Sequence, residues 1–113
     1  MIVGKQFHFD AAHFLPDHPT CGKIHGHTWR VDVELQGPLG LEGMVLDFAK
    51  LKEAMDRILK NYDHSNLNDS IPKPTCEMIA MLISTSLRTE LPGVGLYSVK
   101  VQEGSGGYAI YKL

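Results

Sequence analysis

Hydrophobic and polar positions alternate in two stretches of the first third of the chain. Val3, Phe7, Phe9, Ala11 and His13 fall on one side of an extended segment, and Gln6, His8 and Asp10 fall on the other. From His25, the set His27, Trp29, Val31, Val33 and Leu35 alternates with Gly26, Thr28, Arg30, Asp32, Glu34 and Gln36. A period of two predicts two strands, each with an apolar and a polar face. The run QGPLGLEG ends the second. From Asp47, an N-cap residue type, the apolar positions Phe48, Leu51, Met55, Ile58, Leu59 and Tyr62 take helical steps. After YDHSNLNDSIPKP, Thr75 caps a second helix with Glu77 in its first turn and Ile79, Leu82, Ile83 and Leu87 on its inner stripe. ELPGVG stops it. Tyr97, Val99, Val101 and Glu103 share one face of a third strand, and GSGG turns the chain into a short fourth strand that ends at Leu113.

The order β-β-α-α-β-β predicts an α+β fold, with a four-stranded antiparallel sheet carrying both helices on one face. The exposed sheet edges invite pairing with other subunits. No repeat or linker divides residues 1–113, so a single domain is expected. The balance of 11 basic and 13 acidic residues gives no long-range attraction to nucleic acid or an anionic bilayer. The longest apolar run, MIAMLI, is too short to span a membrane, and MIVGKQFHFD does not resemble a signal peptide, so a cytoplasmic protein is expected. In that compartment Cys21 and Cys76 are free thiols rather than a disulfide.

Histidine placement changes this picture. His25 and His27, two apart on a strand, project to the same side, and His13 is in phase with the apolar face of the preceding strand. If those strands are neighbours, three imidazoles converge, which suits Zn2+ with a fourth position left open. The alternative is three unrelated histidines. Cys21, in CGKIHGH, lies in the connection between the two strands. It is open to three readings: a small buried apolar residue, a thiolate favoured by a nearby cation, or a fourth zinc ligand that would close the site. Cys76, in the first turn of a helix, reads as structural although the dipole there favours a thiolate. Asp63 and His64 are adjacent in a polar loop and form either a proton-transfer pair or two solvated side chains. Glu103 is a carboxylate on an apolar strand face and needs a partner, either a ligand with N–H donors or a lysine. His8 and His18 carry no assigned role.

FDAAHFLP, CGKIHGHTW, LDFAKLK, YDHSNLND, KPTCEMIA and VQEG, taken together and in this order, make the chain resemble the 6-pyruvoyltetrahydropterin and 6-carboxytetrahydropterin synthase superfamily. The resemblance implies the tunnelling fold, in which subunits join edge to edge into a barrel and stack as a homohexamer with active sites at subunit interfaces. It implies that His13, His25 and His27 hold zinc and that Cys21 is the catalytic cysteine. Asp63 and His64 match the aspartate–histidine pair, and Glu103 matches the glutamate that grips the pterin ring and joins the proton relay. Thr75 and Glu77 lie in the segment that shapes the pterin pocket. The short interval between Cys21 and His25 resembles the carboxy-forming branch, which serves 7-deazaguanine and queuosine biosynthesis. The implied reaction is a zinc-dependent lyase converting 7,8-dihydroneopterin triphosphate to 6-carboxytetrahydropterin, acetaldehyde and triphosphate. A pyruvoyl-forming synthase, which eliminates triphosphate only, and a non-catalytic zinc-stabilised pterin-binding oligomer are the alternatives.

Overall fold

Two long strands carry the architecture. In the computed structural model, which describes residues 1–113, β1 (Ile2–His13) and β2 (His25–Gln36) pair antiparallel from Ile2 opposite Gln36 to His13 opposite His25. At about 3.3 Å per residue, twelve-residue strands account for most of the 52 Å long axis. Helix α1 (Phe48–Leu59) starts where the Asp47 side chain accepts the N–H of Ala49 at 2.9 Å. The two-residue β3 (Ser65–Asn66) and a single 3-10 turn, Leu67–Asp69, precede α2 (Cys76–Glu90). The α2 N-terminus is capped by the Thr75 hydroxyl, which accepts the N–H of Met78 at 3.2 Å. Strands β4 (Leu96–Glu103) and β5 (Tyr108–Lys112) form the closing hairpin.

The sheet order is β3-β1-β2-β4-β5. The four expected antiparallel strands are β1, β2, β4 and β5. The expectation missed β3, which pairs parallel to β1 at Ala11 and Ala12. His64 causes this: it takes a φ of 57°, and its N–H donates to the Asp10 carbonyl at 2.6 Å, laying the following residues alongside β1. Two residues are too few to leave a periodic signal.

One apolar core lies between the sheet and the helices. It joins Phe7, Phe9, Trp29, Val31, Val33, Leu35, Val99 and Val101 to Leu51, Met55 and Ile58 of α1 and to Ile79, Ile83 and Leu87 of α2. Leu82, expected on the inner stripe, is only half-buried, while Ala80 and Ser84 of the same helix are buried. The opposite sheet face exposes Gln6, His8, Asp10, Arg30 and Glu34. Gly95 is needed where β4 begins, because a Cβ there would collide with the Gln36 carbonyl oxygen. Near the other end of the sheet the core face continues into polar chemistry: His13 follows Ala11, His27 precedes Trp29, and Glu103 follows Val101. No helix is long and apolar enough to cross a membrane.

Candidate metal centre and active site

Strand register brings the histidines together. His13 is paired with His25 across β1 and β2, His27 lies opposite Ala11, and Glu103 of β4 lies opposite Trp29. The rings of His13, His25 and His27 meet edge to face, with centroids 4.6 to 5.2 Å apart. Trp29 backs them, its ring centroid 4.8 Å from His13 and 5.7 Å from His27.

Backbone carbonyls set two of the imidazoles. His13 Nδ1 is 2.9 Å from the carbonyl of Pro74, and His25 Nδ1 is 2.7 Å from that of Lys23. A carbonyl only accepts, so each Nδ1 carries the proton and each Nε2 is left with a free lone pair. That is the orientation a metal-binding histidine takes. His13 is fully buried, and its Nε2, like the Nε2 of His27, has no hydrogen-bond partner. Buried polar atoms without partners are rare and call for an explanation. The Glu103 carboxylate places Oε1 2.9 Å from His27 Nε2 and Oε2 3.6 Å from His13 Nε2. Neither contact has hydrogen-bond geometry. Burial holds the His27 imidazole below its ordinary value of 6.5; Glu103 works against this, and His25 and His13 add to it. The neutral ring is the form that donates a lone pair to a cation.

One donor atom from each of His13, His25, His27 and Glu103 lies within 4.8 Å of the others. An ion with bonds of about 2.1 Å sets its ligand atoms about 3.4 Å apart, so small ring rotations close the group around a cation. The orphaned nitrogens, in a set of three imidazoles and one carboxylate, therefore fit a metal ion.

The other sequence-derived candidates are placed differently. Cys21 is half-buried in the β1–β2 loop, outside the four-residue group. Asp63 and His64 touch, with Oδ2 and Nδ1 2.8 Å apart, but the His64 side chain is 80% exposed. Asp63 Oδ1 accepts the N–H of Asp10 at 2.9 Å, and this contact first, then the His64 side chain, holds the Asp63 carboxyl below its usual 3.8. Thr75 is the cap of α2, one residue after the carbonyl that receives His13, and Glu77 is exposed in the first turn. Cys76 is a thiol and not the thiolate that the helix dipole alone would favour. Burial, with Glu103 and Glu77 nearby, pushes it up to about 11. Glu103 has histidines for neighbours, not the lysine entertained from sequence. Sequence reasoning missed the Pro74 carbonyl, for which no residue pattern exists. It also missed the closeness of Glu103 to the histidines, which the shared apolar phase of β2 and β4 foreshadows.

Residues 2–113 match the family described as 6-pyruvoyl tetrahydropterin synthase. The chain belongs to that family. A Synechocystis member named 6-carboxy-5,6,7,8-tetrahydropterin synthase is 43% identical over 120 aligned residues, covering 97% of this chain and 92% of its own. A Pyrococcus furiosus protein named dihydroneopterin monophosphate aldolase is 41% identical over 98 residues, covering 86% of this chain and 84% of its own. The 6-pyruvoyl tetrahydropterin synthase of Caenorhabditis elegans superposes with a TM-score of 0.91 at 27% identity, covering 100% of this chain and 95% of its own. The family thus pairs this fold with pterin-processing enzymes, and the histidine–glutamate group at the strand ends is its candidate centre here.

Proposed function

We propose that the chain is a 6-carboxy-5,6,7,8-tetrahydropterin synthase, a lyase that acts on 7,8-dihydroneopterin triphosphate. One observation carries the reading: in a chain of this family, 43% identical to a synthase of that name, two buried imidazole nitrogens without partners converge with a third imidazole and a carboxylate. His13, His25 and His27 hold Zn2+, which when bound supplies Lewis-acid polarisation of the substrate's side-chain hydroxyl oxygens.

The chain's own residues do the rest. Glu103 accepts a pair of N–H groups from the pterin ring, with Thr75 and Glu77 shaping the pocket beside it. Cys21, as the thiolate, removes a proton from the substrate side chain, and His64, oriented by Asp63, moves a second proton as triphosphate departs. With water, cleavage of the side-chain carbon–carbon bond then yields the 6-carboxy product and acetaldehyde. The protein works in the cytoplasm as a homohexamer with sites at subunit interfaces, within 7-deazaguanine and queuosine biosynthesis. The exposed His64 side chain on the β3 side of the sheet, the edge of β1 that the two-residue β3 leaves uncovered, and the open edge of β5 support a shared site. All of these roles fall within one domain, residues 1–113.

The Pyrococcus relative favours a second reading, an aldolase acting on dihydroneopterin monophosphate. The deciding experiment incubates metal-analysed protein with the triphosphate and, separately, with the monophosphate, and identifies every product by mass. Acetaldehyde and the 6-carboxy pterin from the triphosphate are expected. Triphosphate loss without acetaldehyde would make it a pyruvoyl-forming synthase, cleavage of the monophosphate alone an aldolase, and no consumption a binding protein.

A further inference from the structure

The loop that carries Cys21 closes on itself. The N–H of Leu15 donates to the Cys21 carbonyl at 2.7 Å, and the N–H of His18 donates to the Leu15 carbonyl at 3.2 Å. Gly22 passes so close that a Cβ there would sit 2.8 Å from the His18 carbonyl oxygen. His18 provides the remaining ties. Its Nδ1 accepts the N–H of Cys21 at 3.0 Å and the N–H of Thr20 at 3.2 Å, with the Thr20 hydroxyl 3.3 Å away. Two backbone donors on one nitrogen require its lone pair, so the ring proton is on Nε2. The Thr20 hydroxyl also lies 3.7 Å from the Cys21 sulfur.

We propose that His18 is a positioning residue for Cys21: its Nδ1 holds the backbone N–H groups of Thr20 and Cys21 and so fixes where the thiol is presented. The segment has no helix or strand ladder at these positions, and a side-chain acceptor takes the place of one. Because Nδ1 already receives two N–H groups, the Thr20 hydroxyl keeps a proton to donate to the Cys21 sulfur once the thiol ionises. The proposal rests on the reading of Cys21 as the group that removes the substrate proton.

The test compares His18→Ala with His18→Asn in the metal-loaded protein. The Asn Oδ1 sits about where the imidazole Nδ1 was and can accept the same N–H groups. His18→Ala is expected to lower kcat about ten- to hundredfold, with KM changed less than about threefold, and His18→Asn to stay within about threefold of the parent. Metal content and Tm should not move. Two readouts need no turnover: 15N NMR of the parent should show the proton on Nε2 of His18, and the Thr20 and Cys21 amides should lose protection from exchange in His18→Ala and keep it in His18→Asn. The proposal is overturned by an Nδ1–H tautomer, by His18→Ala with unchanged kcat, or by His18→Asn as impaired as His18→Ala. If His18→Ala does not fold, the tautomer and the amide protection in the parent and in His18→Asn decide. Full turnover in Cys21→Ala would instead refute the role of the thiol, whatever the tautomer and exchange results say about its anchor.

Discussion

His27 and Glu103 place Nε2 and Oε1 2.9 Å apart across neighbouring strands, yet the ring nitrogen has no hydrogen-bond partner. A carboxylate this close to three imidazoles can serve as a ligand of the ion or as a grip for substrate. Glu103→Gln separates the two. Losing one charge-assisted acceptor, worth about 1.5–3 kcal/mol, should lower kcat/KM about ten- to hundredfold while the metal stays bound. Metal content and kinetics on the same preparation check this, and loss of the ion would make Glu103 a ligand.

The two thiols should behave differently. Cys21 is half-buried in a loop, whereas Cys76 is buried and pushed up to about 11. Iodoacetamide at mildly alkaline pH should therefore label Cys21 and spare Cys76, as read by peptide mass. Cys21→Ala should reduce turnover about a hundred- to ten-thousandfold with the metal retained.

Acid and alkali act on different groups. The Asp63 carboxyl is held below 3.8, chiefly by the Asp10 N–H. A carboxylate favoured in the fold stabilises it above the unfolded value, and this contribution is lost as pH falls through the lowered one. The Asp63–Asp10 contact, followed by NMR, should thus persist at pH 4 and loosen only below it. Cys76 works in the opposite sense: its thiol form is favoured in the fold, so its contribution is complete below about 9 and is lost as pH rises through about 11. Chemical denaturation between those values should show falling stability in the parent and a smaller fall in Cys76→Ser.

Ser84 lies buried in α2, and its hydroxyl has no partner. Removing it relieves an unpaired polar group and adds helix propensity, so Ser84→Ala should stabilise the protein by about 1 kcal/mol. Ile83→Ala beside it, in the packed core, should destabilise by about 2–5 kcal/mol. Urea titration of both variants gives the comparison.

What the sequence disclosed follows from which interactions are periodic. Alternation placed β1 and β2 and put His13, His25 and His27 on the buried face, since side-chain direction in a strand depends only on position parity. Asp47 and Thr75 marked both helix starts because a cap is a local bond between a side chain and a nearby N–H. Long-range partners left no such trace. The Pro74 carbonyl behind His13 is 61 residues away, β3 depends on a left-handed His64, and the His18 anchor depends on how one loop folds back. The helix-dipole argument for Cys76 was outweighed by burial and two carboxylates, which appear only once α2 is packed against the sheet.

The most direct measurement is X-ray absorption at the zinc edge on the protein as purified. Zinc bound by His13, His25 and His27 should show imidazole nitrogen neighbours at about 2.0–2.1 Å, no sulfur at about 2.3 Å, and loss of the ion when any one histidine is replaced by alanine. A sulfur scatterer, or full turnover in metal-free protein, would contradict the account.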